Sequence, residues 1–147
     1  LWSINNTSPG GENSGDNNPV IKTVYDPTPV GFTVPGGNAF TGFTENGMNQ
    51  GQKNVDGTDV QATFNAKMGH EFWTNSNKEE TIFFPATGYM DSGNGVLGQY
   101  KKQGNFWTAL PAAFSNGTAL GFSVGSDVYP RVGNMRTYGF SVRPAAE

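Results

Sequence analysis

Residues 118–125 read TALGFSVG, and large apolar side chains alternate in this stretch with small or polar ones. This alternation is typical of a strand with one buried face, on which Leu120, Phe122 and Val124 would lie together. The same pattern returns in residues 136–144, RTYGFSVRP, which we interpret as a final strand. Two such strands in a chain otherwise rich in Gly, Asn, Ser and Thr predict a sheet near the C-terminus.

Other strand candidates precede these two. They are short runs of apolar and β-branched residues bounded by turn-forming residues. The candidates are residues 21–25, 32–34, HEFWTN (70–75), TIFFPATGYM (81–90) and NFWTAL (105–110).

Two helix candidates lie in the first half of the chain. Residues 38–43 can form one helical turn, and residues 59–69, DVQATFNAKMG, place Val60, Phe64 and Met68 at helical spacing before Gly69. The overall prediction is an α+β fold, with short helices, small antiparallel sheets and extensive irregular loops.

At 147 residues the chain is most simply one domain. Residues 1–19 are polar and rich in Gly, Pro and Asn, so we interpret them as an N-terminal arm or linker and assign the domain to residues 20–147. The first residues do not resemble a signal segment, and we expect an excised domain of a larger secreted protein.

The composition excludes several classes of partner and chemistry. Only 14% of the residues are charged and the net charge is −3, which argues against a nucleic-acid partner. The absence of Cys excludes a thiol nucleophile, a disulfide scaffold and a Cys-ligated metal. No apolar run is long enough for direct membrane insertion.

Short motifs do not indicate an enzyme or a cofactor. GNGVLG (93–98) has glycine spacing found in dinucleotide sites, but no helical pattern follows it. His70 is the only histidine and has no second ligand at the spacing of a zinc site. NVDGTD (54–59) offers oxygen ligands for calcium, but a plain turn explains it better. We therefore predict no catalytic residue, no metal and no cofactor.

The segment 99–138 places large aromatic side chains and an Arg among Gly, Ala, Ser and Asn. This mixture is typical of binding surfaces, in which rigid aromatic side chains and Arg make the main contacts. A core-filling role for the same side chains is the alternative, and composition alone leaves the two open.

The segments GNFWTALP, ALGFS, VYP, NMR and YGFSVRP resemble the closing part of a C-type-lectin-like family. This family comprises the Fibrobacter succinogenes major paralogous domain and the variable proteins of diversity-generating retroelements. KTVYDPTPVGFTVP resembles its opening strand as found on Bacteroides-type fimbrial and cell-surface proteins, and FFPATGY resembles its mid-domain strand.

The resemblance implies a C-type lectin-like fold and a non-enzymatic, adhesin-type role on a bacterial surface or at a pilus tip. The partners would be a protein or glycan ligand on a cell or phage surface, and other pilus or surface-protein domains. The resemblance also implies a binding surface diversified by a retroelement, within residues 99–138.

Matching the family's variable positions to this chain gives the expected ligand-binding residues. They are Asn105, Phe106, Leu110, Ala112, Phe114, Tyr129, Arg131, Met135, Thr137 and Tyr138. The expected framework residues between and beyond them are Gly104, Trp107, Thr108, Ala119, Leu120, Phe122, Pro130, Arg136 and the segment 139–144.

The sugar-binding tripeptides of calcium-dependent lectins, Glu-Pro-Asn and Trp-Asn-Asp, are absent, so the resemblance does not extend to a calcium-bridged sugar. Two alternatives to an adhesin stay open at this stage. One is a structural pilus or fimbrillin subunit, and the other is a carbohydrate-active enzyme that uses carboxylates.

Overall fold

The central sheet consists of three antiparallel strands that follow one another along the chain, residues 103–111, 116–123 and 128–135. The computed structural model describes residues 2–6, 18–55, 68–113, 115–123 and 127–147. Within them the strands are β1 (Phe32–Thr33), β2 (Gly69–Trp73), β3 (Thr81–Pro85), β4 (Tyr89–Met90), β5 (Leu97–Gly98), β6 (Gln103–Pro111), β7 (Asn116–Ser123), β8 (Val128–Met135) and β9 (Ala145–Ala146).

The smaller sheets are two-stranded and also antiparallel. They pair β2 with β3, β4 with β5, and β1 with β9, so the last pair joins an early strand to the end of the described chain. The register of the central sheet shifts twice, within β6 after Trp107 and between β7 and β8 after Ala119. A shift of this kind bends a strand and changes where its side chains point.

The core is a cluster of aromatic side chains between the central sheet and the β2–β3 hairpin. Phenylalanine rings meet mostly edge to face, as aromatic pairs prefer, and Phe43 stacks on Phe72 with a centroid distance of 4.0 Å. The buried members of the cluster are Phe40, Phe72, Phe84, Phe106, Leu120, Phe122 and Val128. The alternation predicted for 118–125 therefore places Leu120 and Phe122 in the core, as expected.

The predicted α+β class is wrong, because the regular secondary structure of the described residues is almost entirely strands in small antiparallel sheets. The C-type lectin-like fold belonged to that prediction and is corrected with it. Residues 38–43 give only a 3-10 helix at Thr41–Phe43, where Gly42 and β-branched Thr41 are weak helix formers. Within the described residues, no helix is long and apolar enough to cross a membrane.

The second predicted helix, residues 59–69, lies outside the described residues as far as position 67. Its predicted stop, Gly69, begins β2, in which residues 69–73 pair with β3. A Cβ at position 69 would overlap the backbone oxygen of Phe84 and the ring of Phe83, so the close approach of the two strands requires Gly here.

Two predicted strands have a different form in the structure. Residues 21–25 contribute only an isolated bridge, between Ser3 and Lys22. The predicted strand 136–144 begins with a turn at residues 136–137 and then has only isolated bridges, at Gly139 and Ser141. Ser141 receives a hydrogen bond from the Trp107 N–H and donates its own N–H to the Asn105 oxygen, so this segment covers the free edge of β6.

Two polar side chains organise the loop before β1. The buried Asp26 carboxylate accepts hydrogen bonds from the Thr28 N–H, the Thr28 hydroxyl and the Val34 N–H, at 2.8, 2.5 and 3.0 Å. The Lys22 ammonium donates to the backbone oxygens of Thr28, Pro29 and Phe32. Together they satisfy the backbone of a segment whose prolines cannot form a regular ladder.

We expect Asp26 to make the fold sensitive to acid. Burial raises the pKa of its carboxyl, but the hydrogen bonds from Thr28 and Val34 and the charge of Lys22 outweigh burial, so the pKa lies below its ordinary value of 3.8. A pKa that is lower in the folded state gives stability that is present above the unfolded value and is lost as the pH falls below it.

Urea unfolding of the wild type and of Asp26→Asn between about pH 7 and about pH 2 tests this expectation. At neutral pH the variant should lose about 1–3 kcal/mol, because Asn cannot replace the charged acceptor. The difference between the two proteins should shrink in acid. A difference that stays constant with pH would contradict the role given to the Asp26 charge.

Candidate ligand-binding groove

The outer face of the central sheet is the face that turns away from the aromatic core. Along β7, Leu120 and Phe122 point into the core, so the intervening residues point outward. These outward residues are all small: Gly117, Ala119, Gly121 and Ser123. A central strand without bulky outward side chains leaves room for a depression between its two neighbours.

Two adjoining hollows, of about 150 and about 130 Å³, occupy this depression. Both are lined by Gln103, Asn105 and Asn134, and we call the two together the groove. Asp127 and Tyr129 line the first hollow. The remaining aromatic lining of the second hollow is Tyr89, Tyr138 and Phe140. The groove thus combines three tyrosines with amide side chains.

Gly121 forms the floor of the first hollow because of its place in the register. Its partners are Asn105 on β6 and Tyr129 on β8, so the side chains of the two outer strands stand on either side of it. A Cβ at position 121 would lie 3.1 Å from Cγ1 of Val132 and 3.6 Å from Oδ1 of Asn105. Any larger side chain would therefore fill the space between the walls.

Asn105 is the feature of the groove that the fold does not explain. Its side chain is only 3% exposed, and its Nδ2 has no hydrogen-bond partner among the described residues. Leaving a buried amide donor unpaired costs about 1–3 kcal/mol, and such groups are rare in native proteins. Asn105 itself lines both hollows, so a ligand in the groove would lie beside the residue that carries this donor.

Tyr129 is held at its place in β8 by the loop that covers the outer edge of this strand. The Gln50 side chain donates to the Tyr129 hydroxyl at 3.1 Å, and the Gln50 N–H donates to the Val128 oxygen. Asn49 makes a two-bond clamp with the backbone of Arg131, at 3.0 Å for each bond. The phenol ring thus has a fixed direction before any ligand arrives.

The opposite wall is a small aromatic cluster. Tyr138 lies edge to face on Tyr89 at 5.4 Å and stacks on Phe140 at 5.8 Å. Phe140 in turn stacks on Trp107 at 4.4 Å, which joins the cluster to β6. Hydrogen bonds between Met90 and Gly139, at 2.9 and 3.0 Å, hold the two backbones together.

The structure brings three of the residues predicted to bind a ligand into the groove, namely Asn105, Tyr129 and Tyr138. Arg131, Met135 and Thr137 lie in or just after β8 but do not line the groove. Phe114 lies outside the described residues. Phe106, Leu110 and Ala112 are buried and line neither hollow of the groove, and Leu110 lines a separate hollow beside Trp107.

The sequence interpretation missed Tyr89, Gln103, Gly121, Asp127 and Asn134 as groove residues. Gln103 could have been found, since it precedes Asn105 by two positions and so shares its face of the strand. Asp127 and Asn134 lie in or beside β8, a strand that was not predicted. Tyr89 reaches the groove only through the packing of a separate hairpin.

The residues considered for other chemistry are placed away from the groove. His70 is fully buried in the core, with its ring 4.6 Å from that of Phe122. Residues 93–98 lie in the β4–β5 hairpin, where the Asp91 carboxylate accepts hydrogen bonds from the Gly93 and Asn94 N–H groups. The described residues contain no group of three or more His, Cys, Asp or Glu placed to hold a metal ion.

Comparison with known proteins identifies one family. The family model described as Domain of unknown function (DUF8237) matches residues 48–145, which is more than half of the chain. The chain belongs to this family. The matched region includes the central sheet and the whole lining of the groove. No curated protein and no solved structure matches the chain.

Proposed function

We propose that this chain is a non-enzymatic ligand-binding domain of the adhesin type, displayed on a bacterial surface or at a pilus tip, and that the groove is its binding site. The observation that carries the proposal is Asn105, which lines both hollows and whose buried Nδ2 has no hydrogen-bond partner among the described residues. A binding site explains why the fold keeps a polar group that it does not satisfy itself.

The chemistry of the lining favours recognition over catalysis. Three tyrosines offer flat apolar faces with a polar end, and the amides of Gln103, Asn105 and Asn134 can each donate and accept hydrogen bonds. Asp127 is the one carboxylate in the described lining. A glycan or a polar protein segment fits this set, since both present many neutral hydrogen-bonding groups.

Binding of defined glycans on an array by groove variants tests the proposal. Relative to the wild type, Tyr129→Ala should weaken binding by about 30-fold, the loss typical of a central tyrosine at a binding surface. Asn105→Leu should weaken it to a similar degree. Tyr25→Ala is the matched control, because Tyr25 is 74% exposed and remote from the groove lining.

Wild-type binding that both groove variants retain would contradict the assignment of the groove. Failure of the wild type to bind any arrayed glycan would exclude those glycans. A panel of bacterial and phage surface proteins would then be tested with the same three variants.

We further propose that the surface beside the groove tolerates sequence change, as expected for a diversified binding protein. Arg131 and Met135 lie in β8, and Thr137 follows this strand by two positions. None of the three lines either hollow of the groove. Sequencing the coding region for residues 99–147 across a natural population tests this. Substitutions clustered at these positions and at template adenines support diversification, and an invariant region contradicts it.

A further inference from the structure

A second and larger concavity lies away from the groove, among the 3-10 helix at Thr41–Phe43, the β2–β3 hairpin and residues 143–145. Its volume is about 760 Å³. Volumes of about 300–1,000 Å³ are typical of pockets that enclose a small molecule. We call this concavity the Arg143 cavity, after the arginine that lines it.

The walls of the Arg143 cavity are largely aromatic and apolar. They include Phe43, Trp73, Ile82 and Phe84. Phe43 is fixed by its stack on Phe72, and the Trp73 Nε1–H donates to the Val55 oxygen at 3.1 Å. Because the indole N–H already has a hydrogen-bond acceptor, Trp73 contributes the apolar face of an oriented ring to the wall.

Arg143 is a charged residue of these walls, which also include the polar residues Thr44, Asn54, Thr74, Asn75 and Ser76. Its guanidinium lies over the Phe84 ring, 4.3 Å from the centroid, and NH1 donates to the Phe83 oxygen at 2.5 Å. A guanidinium has five N–H donors, so most of them remain for another acceptor. Among the described residues no carboxylate forms an ion pair with Arg143, and no other side-chain hydrogen bond reaches it.

The charges around the cavity favour an anion. Lys78 and Glu45 also line it, and both are exposed side chains, so among the described lining residues Arg143 is the one charged group that is partly buried. Burial lowers the pKa of the Arg143 guanidinium, which reflects the cost of holding this cation away from water. The contact with the Phe84 ring fixes the orientation of the Arg143 guanidinium, as in sites that recognise a carboxylate.

We propose that the Arg143 cavity binds a carboxylate carried on an apolar or aromatic body. The guanidinium would hold the carboxylate through two parallel N–H···O bonds, and the body would lie against Phe43, Trp73 and Ile82. A carboxylate fits better than a phosphate because the Phe84 ring lies against the guanidinium, whereas a phosphate needs polar partners for all its oxygens. This site is independent of the groove.

The test is a titration of the ¹⁵N-labelled wild-type chain with benzoate, followed through the Arg143 Nε–H and Trp73 Nε1–H resonances. Benzamide, which has the same ring without the charge, is titrated in parallel. We expect both resonances to shift with benzoate, and the affinity for benzamide to be at least about tenfold lower, since a charge-assisted pair is lost.

Variants separate binding from a structural role of Arg143. Arg143→Gln should lose benzoate affinity by at least about tenfold, and Arg143→Lys should retain part of it because the charge remains. Arg136→Gln is the matched control. Arg136 is an exposed Arg whose Nε–H donates to the Asn116 oxygen, outside the cavity, so its loss should leave benzoate binding unchanged.

Several results would overturn the proposal. They are an absence of benzoate-induced shifts in the wild type, equal affinities for benzoate and benzamide, and unchanged benzoate affinity in a folded Arg143→Gln variant. If Arg143→Gln does not fold, the comparison of benzoate with benzamide on the wild type still decides the matter. Inorganic sulfate that competes as well as benzoate would also contradict a carboxylate on an apolar body.

Discussion

Phe72→Ala is expected to lower the free energy of unfolding by about 3–5 kcal/mol, the cost typical of removing a buried aromatic ring. Phe72 has no exposed surface and contacts aromatic rings on several sides. It stacks on Phe43 at 4.0 Å and meets Phe84 and Phe122 edge to face at 5.9 and 5.8 Å. The substitution would therefore open a cavity between the hairpin and the central sheet.

Urea unfolding followed by circular dichroism measures this loss. Phe32→Ala is the matched control, since Phe32 is 42% exposed in the short strand β1 and should cost less than about 1.5 kcal/mol. Because small domains are stable by only about 5–15 kcal/mol, Phe72→Ala could leave little folded protein at 37 °C. Similar losses for the two variants would contradict the position of the core.

Gly104→Ala is the second substitution with a large expected effect, about 3 kcal/mol of destabilisation. Gly104 pairs with Phe122 across β6 and β7, and the Phe122 ring lies over the glycine. A Cβ at position 104 would overlap this ring, which has no free space to move into because Phe122 is fully buried. The added methyl must push the ring or separate the strands.

A double-mutant cycle with Phe122→Leu identifies the cause of the loss. If the overlap with the ring is responsible, Gly104→Ala should cost clearly less in the Phe122→Leu background than alone. Gly42→Ala is the control, because a Cβ at position 42 would meet no atom within 4 Å. Equal costs of Gly104→Ala in both backgrounds would show that the ring is not the reason.

The parts of the fold that could be predicted are those in which one strand has a single buried face. Leu120 and Phe122 lie on the core face of β7, and the predicted segments 70–75 and 81–90 contain β3 and all of β2 except Gly69. Alternation of apolar and polar residues indicates which side chains are buried, and in these segments the buried residues also belong to paired strands. In residues 138–144 they do not, because Phe140 packs on Trp107 while the backbone forms only isolated bridges.

The strand that was missed, β8, carries residues that sequence rules exclude from a strand interior. Pro130 cannot donate to a ladder and Gly133 weakens a strand. In the structure the register shifts beside Pro130, between the pairs Ala119–Val132 and Gly121–Tyr129, so an irregularity accommodates the proline. Such compensation depends on the neighbouring strand and cannot be inferred from the local sequence.

The candidate site was predictable in part for the same reason. Tyr129 and Tyr138 were expected at the binding surface and line the groove. Phe106 and Leu110 are also large residues of the segment expected to bind, but they are buried. Side chains alternate between the two faces of a strand, and the register decides which face packs on the core. Asn105 is informative because its Nδ2 has no hydrogen-bond partner among the described residues, and this is visible only in the structure.

The measurement that tests the account most directly is the free energy of unfolding of Asn105→Leu without a ligand. Leu has a similar size, and Nδ2 has no partner among the described residues to lose. If Asn105 is kept for a ligand, the variant should be as stable as the wild type or more stable by about 1–3 kcal/mol. A loss of more than about 2 kcal/mol would mean that the amide serves the fold, and would contradict the groove as a binding site.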